Sequence, residues 1–146
     1  MHVSLDLSCN VMKTVCMVFS PTDRSKIVFH CFPSFVLCGK PLKFVNMFRY
    51  LGHILTNNSK DDSDIQREMR NIFIRTNMLI RRFSRCSAKV KLRLFKSYCT
   101  CVYGVGIWSN YAASTLLKFK YCYHKCIKVF LVNPSHIVLH QYCLTT

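Results

Sequence analysis

The second half of this sequence has no acidic residue. All six Asp and Glu side chains lie before Met69, whereas the chain from Met69 to Thr146 carries thirteen Lys and Arg. A segment without internal counter-ions favours an external polyanion, either nucleic acid phosphates or an anionic membrane surface. The net charge of +15 agrees, because it exceeds what solubility alone requires.

An export signal is also missing at the amino terminus. The first residues, Met1 to Asp6, offer no basic region, no apolar core and no small-residue cleavage site. We therefore expect an intracellular protein of the cytoplasm or nucleus. In that reducing environment the ten cysteines are expected to be buried thiols rather than disulfides.

Long apolar runs suited to a membrane are poorly represented. The stretch 97–117 is uncharged and long enough to span a bilayer, but it contains six Ser, Thr or Asn residues and two glycines. Its composition argues against a transmembrane helix. A membrane-associated protein that uses this stretch is kept as an alternative.

No self-contained active site is visible. The sequence has no glycine-rich phosphate loop, no Ser-His-Asp set and no Cys–His pair with supporting context. His53, beside Gly52, is expected to be a hydrogen-bonded structural residue. We expect no small-molecule substrate and no cofactor.

The cysteines of the C-terminal half give one weak metal pattern. Cys122 and Cys126 lie one helical turn apart, with His124 between them and Cys99 and Cys101 upstream. The spacing of zinc-binding cysteine pairs occurs only once, and Cys99 and Cys101 would point to different sides of a helix. We prefer the interpretation that these cysteines are buried core thiols, and zinc binding is kept as an alternative.

The first third of the chain has the pattern of short strands. An apolar content of 51% predicts a packed core, and 146 residues make one domain or a piece of a larger one. Turn residues at 38–41 predict a hairpin. Strand patterns occupy 15–19, 27–37, 43–45 and 48–55. Residues 1–56 are therefore predicted to form a β-hairpin layer.

An amphipathic helix is the clearest predicted element. Asp61, Asp62 and Asp64 complement a helix N-terminus, with Ser63 or Asp64 as N-cap, and we prefer this interpretation to metal-binding carboxylates. The apolar stripe consists of Ile65, Met69, Ile72, Phe73, Thr76, Leu79, Ile80 and Phe83. At ~100° per residue the opposite face collects Arg67, Arg70, Arg81, Arg82 and Arg85. Ile74 and Met78 interrupt that face and indicate a second contact.

Two more basic helices are predicted after it. The second is capped by Ser87, runs to about Tyr103 and interleaves Lys89, Lys91, Arg93 and Lys96 with apolar residues. The third covers about 114–132 and is expected to bury Leu117, Tyr121, Ile127 and Phe130. The predicted fold is thus α+β, with a β region at 1–56, three basic helices at 57–132 and a divergent tail at 133–146.

Two segments resemble reverse transcriptases of non-LTR (LINE-type) retrotransposons. Residues 10–19 resemble the Asn-x-x-Lys-Thr motif near the end of the palm, and residues 48–55 resemble the "YLG" strand of the primer grip. Shorter matches to the helical region after the palm follow in order at 64–71, 80–83, 94–98 and 102–108. The resemblance covers residues 7–132.

The resemblance implies roles for single residues. Lys13 would approach the phosphates of an incoming nucleotide and help to protonate the leaving pyrophosphate. Tyr50, Leu51 and Gly52 would lie against the primer strand. A thumb would hold an RNA–DNA hybrid through phosphates and shape rather than sequence. Its contacts would come from Arg67, Arg70, Arg81, Arg82, Arg85, Lys89 and Arg93.

The catalytic aspartates of that family have no counterpart here. They lie upstream of the Lys-Thr motif, and neither Asp6 nor Asp61 and Asp62 match their positions. Two-metal nucleotidyl transfer needs these carboxylates, so Mg²⁺ is expected only in an intact polymerase. We expect a truncated RNA-directed DNA polymerase fragment that binds duplexes and self-associates through exposed strand edges. The alternative is a basic helical module that docks on an acidic partner.

Overall fold

The fold is α+β, with short strands in the first part of the chain and helices in the second. The structure, a computed structural model, describes residues 10–21, 25, 32–100 and 105–132. It divides into two compact units, Met1–Ser59 and Lys60–Thr146. At this level the α+β prediction is confirmed. The predicted tail at 133–146 lies outside the described residues.

The described strands of the first unit form three two-stranded sheets. β1 pairs with β4 in parallel, whereas β2 with β3 and β5 with β6 are antiparallel hairpins. The strands are β1 Val15–Cys16, β2 Val36–Leu37, β3 Lys40–Pro41, β4 Lys43–Phe44, β5 Met47–Tyr50 and β6 His53–Thr56. The strand predicted at 15–19 is therefore shorter than expected. Residues 27–31 of the stretch predicted at 27–37 lie outside the described residues, and its last two residues form β2.

The segment that resembles the primer grip is a hairpin and not one strand. Tyr50 pairs with His53, which leaves Leu51 and Gly52 as a two-residue turn. Both have positive φ, 47° and 87°, as a type I′ turn requires. The first predicted hairpin has the same turn, with φ of 50° at Cys38 and 74° at the glycine after it. Leucine is rare in this conformation, so the sequence pattern did not indicate the second turn.

Three helices make up the described part of the second unit. α1 covers Asp62–Phe83, α2 covers Ala88–Cys99 and α3 covers Ala113–Val132. The prediction that α2 continues to about Tyr103 is wrong, because the helix ends at Cys99. A short 3-10 turn at Val105–Ile107 precedes α3.

The core of the second unit lies between these three helices. The predicted stripe of α1 is confirmed: Ile65, Ile72 and Thr76 are fully buried and Phe83 packs at the edge. Phe95 of α2 lies edge-on to Tyr123 and tilted against Phe130, at centroid distances of 5.5 and 6.4 Å. Aromatic pairs in this geometry add to the stabilisation that burial provides.

The buried face of α3 agrees with the prediction only in part. Phe130 is buried as predicted and Ile127 packs against the core, whereas Leu117 and Tyr121 are 64% and 66% exposed and Cys122 and Cys126 are buried. The Cys122 thiol approaches the backbone carbonyl of Met69 in α1 at 3.8 Å. Short cysteine side chains allow this close approach between two helices, which the longer Leu117 and Tyr121 would prevent.

Candidate nucleic-acid interface

The acidic residues at the start of α1 bind the chain that leads into α3. One carboxylate oxygen of Asp61 accepts hydrogen bonds from the backbone N–H groups of Ser109 and Asn110, both at 2.8 Å. Asp62 accepts from the N–H of Ala112 at 3.1 Å. Two carboxylates therefore satisfy three backbone donors, and they hold the approach to α3 against the start of α1.

This arrangement corrects the predicted helix cap. The helix begins at Asp62, so Ser63 and Asp64 lie inside it, and Asp61 occupies the N-cap position. The side chain of Asp61 makes no cap hydrogen bond to α1. The negative charges keep a favourable place at the helix N-terminus, but they bind residues almost fifty positions later in the chain.

Arg67 belongs to an internal ion network and not to an exposed basic face. Its guanidinium donates to Asp64 at 2.7 Å and to Glu68 at 3.1 Å, and its side chain is only 15% exposed. Arg75 donates to the other oxygen of Glu68 at 3.0 Å. The hydrogen bond to Asp64 raises the pKa of Arg67, because it favours the charged form. The prediction that Arg67 contacts phosphate therefore has no support in this geometry.

Five of the predicted residues are exposed and lie close together in sequence around the turn between α1 and α2; we name this group the α1–α2 corner. It consists of Arg81 and Arg82 of α1, Arg85 in the turn at 84–87, and Lys89 and Arg93 of α2. In the part of the chain that the structure describes, no carboxylate pairs with any of them. Arg70, predicted with them, is half-buried.

Lys91 lies between Lys89 and Arg93 along α2, but its side chain belongs to the core. It is buried, and its Nζ lies 5.8 Å from the centroid of the Phe130 ring. The aromatic face offsets part of the cost of burying the ammonium. Along α2, Lys89 and Arg93 are thus exposed to solvent, whereas Lys91 is in the core.

In the first unit, the segment around Lys13 is a closed turn. The side chain of Asn10 accepts from the backbone N–H of Lys13 at 3.3 Å, and the Thr14 hydroxyl donates to the Asn10 carbonyl at 2.9 Å. The Asn-x-x-Lys-Thr pattern therefore has a local structural reason: its first and last residues close the turn. Lys13 itself is exposed.

Lys13 and the β5–β6 hairpin line the same groove. This open groove of about 380 Å³ is lined by Lys13 and by Phe48 and Leu55 of the hairpin. The residues predicted to touch a primer, Tyr50, Leu51 and Gly52, are exposed at the hairpin tip. The structure thus brings the two motif-like segments of this unit together.

The zinc hypothesis finds no support in the described residues. Cys99, Cys122 and Cys126 are buried in the core, and the Cys99 sulfur lies 3.8 Å from the hydroxyl of Thr76. His124 is exposed. Among the residues that the structure describes, no three His, Cys, Asp or Glu side chains are placed to hold a metal ion. Cys101 lies outside them.

The uncharged stretch 97–117 is divided between structural elements. Its start is the end of α2, its last residues are the start of α3, and a 3-10 turn lies between them. Within the described ranges, none of the helices combines the length and the apolar character that crossing a bilayer requires.

No protein-family model, curated protein or solved structure matches the chain. The resemblance to reverse transcriptases therefore stays a prediction. The contacts of Asp61, Asp62 and Asp64 with the chain before α3 were missed by sequence reasoning. No local signal marks them, because their partners lie far away in the sequence.

Proposed function

We propose that this chain is a fragment of a non-LTR retrotransposon reverse transcriptase that contains the palm edge, the primer grip and the thumb. It binds RNA–DNA hybrids and other duplexes without sequence preference. By itself it does not polymerise DNA. The second unit would be the thumb, and the hairpin of β5 and β6 would be the primer grip.

The distribution of counter-ions supports this proposal most directly. Each carboxylate of α1 already has partners near the start of the helix: backbone N–H groups for Asp61 and Asp62, and guanidinium groups for Asp64 and Glu68. The cations of the α1–α2 corner have no such partner in the described part of the chain. Phosphates satisfy such cations regardless of base sequence.

The first unit supports the same proposal through the groove that Lys13 shares with Phe48 and Leu55. By the resemblance, Lys13 would approach the incoming nucleotide and the β5–β6 hairpin would lie against the primer strand, so a shared groove fits both roles. The lack of polymerase activity rests on the family's metal-binding aspartates, which match no position in these 146 residues.

A salt titration tests the proposal. The affinity for an RNA–DNA hybrid is measured by fluorescence anisotropy at several KCl concentrations, for the wild type and for the triple change Arg81→Ser, Arg82→Ser and Arg85→Ser. If all five corner residues meet phosphates, the logarithm of the binding constant falls against log[salt] with a slope of about −4 to −5. The triple variant should lose about three units of that slope.

A matched variant controls for total charge. Lys118, Lys120 and Lys128 of α3 are exposed, and changing all three to Ser removes the same charge elsewhere on the unit. This control should keep the wild-type slope. Equal losses in both triple variants would show that binding follows net charge and not the α1–α2 corner.

An acidic protein partner is the second candidate, because the corner also complements carboxylates. Poly-glutamate added to the preformed complex separates the two. If the α1–α2 corner binds nucleic acid, poly-glutamate should compete only weakly with the hybrid when the two carry the same total charge. Displacement at concentrations equal to those of the hybrid would favour the acidic-partner function.

A further inference from the structure

A small pocket opens between α1 and α2, beside the α1–α2 corner. It has a volume of about 150 Å³ and is lined by Arg75, Met78, Leu79, Arg82, Phe83 and Tyr98. Leu79 is buried, whereas Met78 and Tyr98 are 52% and 60% exposed. The lining is therefore largely apolar and includes two large side chains that solvent reaches.

The two arginines of the pocket differ in their partners. The guanidinium of Arg75 is held by Glu68 through a 3.0 Å contact at Nη1. Arg82 is exposed and makes no hydrogen bond or ion pair in the described part of the chain. Among the described residues, no carboxylate lines the pocket. The pocket therefore combines an apolar slot, a tyrosine ring, a fixed cation and a cation available to an anion.

We propose that this pocket binds one unpaired nucleotide, with the base stacked against Tyr98 and a phosphate on Arg82. This inference rests on the proposed nucleic-acid function and adds a ligand for one specific site. The volume is well below the range of about 300–1,000 Å³ that drug-sized ligands occupy, so a single flat ring system is the suitable occupant. A paired base inside a duplex presents no free face, whereas an unpaired base does.

Because the pocket is surrounded by positive charge, it favours an anionic ligand. Because it exposes an aromatic ring, it favours a planar one. An unpaired nucleotide at the end of a duplex meets both requirements, while its duplex part lies along the α1–α2 corner. The chain should therefore prefer a hybrid that carries a short single-stranded overhang to a blunt hybrid of the same length.

The test compares these two hybrids by anisotropy titration. The wild type should bind the overhang hybrid about tenfold more tightly, which is the usual scale of one base–aromatic stack. Tyr98→Leu should remove the preference and leave the affinity for the blunt hybrid unchanged. Tyr121→Leu is the matched control, because Tyr121 is an equally exposed tyrosine on α3. It should keep the preference.

The outcomes separate this inference from the proposed function. If the wild type binds both hybrids equally, or if Tyr98→Leu weakens both equally, the pocket does not bind an unpaired nucleotide although the chain still binds nucleic acid. Binding to neither hybrid would overturn the proposed function as well. Displacement of the overhang by poly-glutamate, with the blunt complex unaffected, would assign the pocket to an acidic peptide and overturn the inference.

Discussion

The indole Nε1 of Trp108 donates a hydrogen bond to Asp64 Oδ2 at 2.9 Å, across 44 positions of sequence. Asp64 lies in the first turn of α1. The Trp108 ring stands edge-on to Phe119 of α3, with the centroids 5.6 Å apart. One side chain thus joins the start of α1 to α3, and the other oxygen of Asp64 remains bonded to Arg67.

Replacing this tryptophan should lower stability. Trp108→Phe keeps an aromatic ring but removes the indole hydrogen bond to the buried Asp64 carboxylate, which should cost about 1–3 kcal/mol in the free energy of unfolding. Urea unfolding followed by circular dichroism at about 222 nm measures this free energy. Ser109→Ala is the control, because Ser109 binds Asp61 through its backbone N–H, which alanine retains. Equal stability of Trp108→Phe and wild type would contradict the importance of this bond.

Arg67 and Arg81 should respond oppositely to the same change. Arg67→Met removes the guanidinium that binds both Asp64 and Glu68, of which Glu68 keeps its ion pair with Arg75, and should destabilise the fold by about 2–4 kcal/mol. Arg81→Met should alter stability by less than about 0.5 kcal/mol but weaken hybrid binding.

The stability that Arg67 contributes should not depend on pH in the neutral range. Because the pKa of Arg67 is raised, this contribution is lost only as pH rises through that high value, so the difference in stability between Arg67→Met and wild type should stay constant between about pH 6 and pH 9. Urea titrations at several pH values test both statements.

Lys89 and Lys91 form a second contrasting pair. Lys91→Met keeps the length of a side chain that packs on Phe130 inside the core, so stability and hybrid affinity should both be preserved. Lys89→Met removes an exposed cation of the α1–α2 corner and should reduce the salt slope of binding by about one unit. The anisotropy titration measures the slope, and urea unfolding measures stability. A smaller slope for Lys91→Met would show that its ammonium reaches phosphate.

The thiols should differ widely in reactivity. Cys38 is exposed, whereas Cys99, Cys122 and Cys126 are buried in the core. Iodoacetamide should therefore modify Cys38 in the native protein and the three core cysteines only in urea. Peptide mass spectrometry after timed quenching gives the rate at each site. Native modification of Cys122 as fast as Cys38 would show that the α1–α3 contact opens readily.

Sequence reasoning predicted α1 well because its apolar and charged residues separate clearly around the helix. It was half right for α3, where Ile127 and Phe130 face the core as predicted but Cys122 and Cys126 are buried in place of Leu117 and Tyr121. A helix that is apolar on several sides carries little information about which side is buried. On α3 the short side chains are the buried ones, because the helix approaches Met69 of α1 closely there.

The candidate interface was also predicted only in part. Arg81, Arg82 and Arg85 are exposed as expected, but Arg67 is not, because its guanidinium binds Asp64, one turn earlier in α1, and Glu68, the next residue. Helical spacing alone places Arg67 opposite the apolar stripe. It does not reveal that a neighbouring carboxylate pair and a distant tryptophan complete an internal network there.

The charge layout along α1 has a consequence for encounter with a polyanion. Carboxylates occupy the start of this 22-residue helix and arginines its last turn, so opposite charges are separated by about 30 Å. The second unit therefore carries a permanent electric dipole moment in addition to its net charge. If the chain binds nucleic acid as proposed, this moment would turn the arginine-bearing end toward the polyanion before contact, and the association rate would be sensitive to ionic strength.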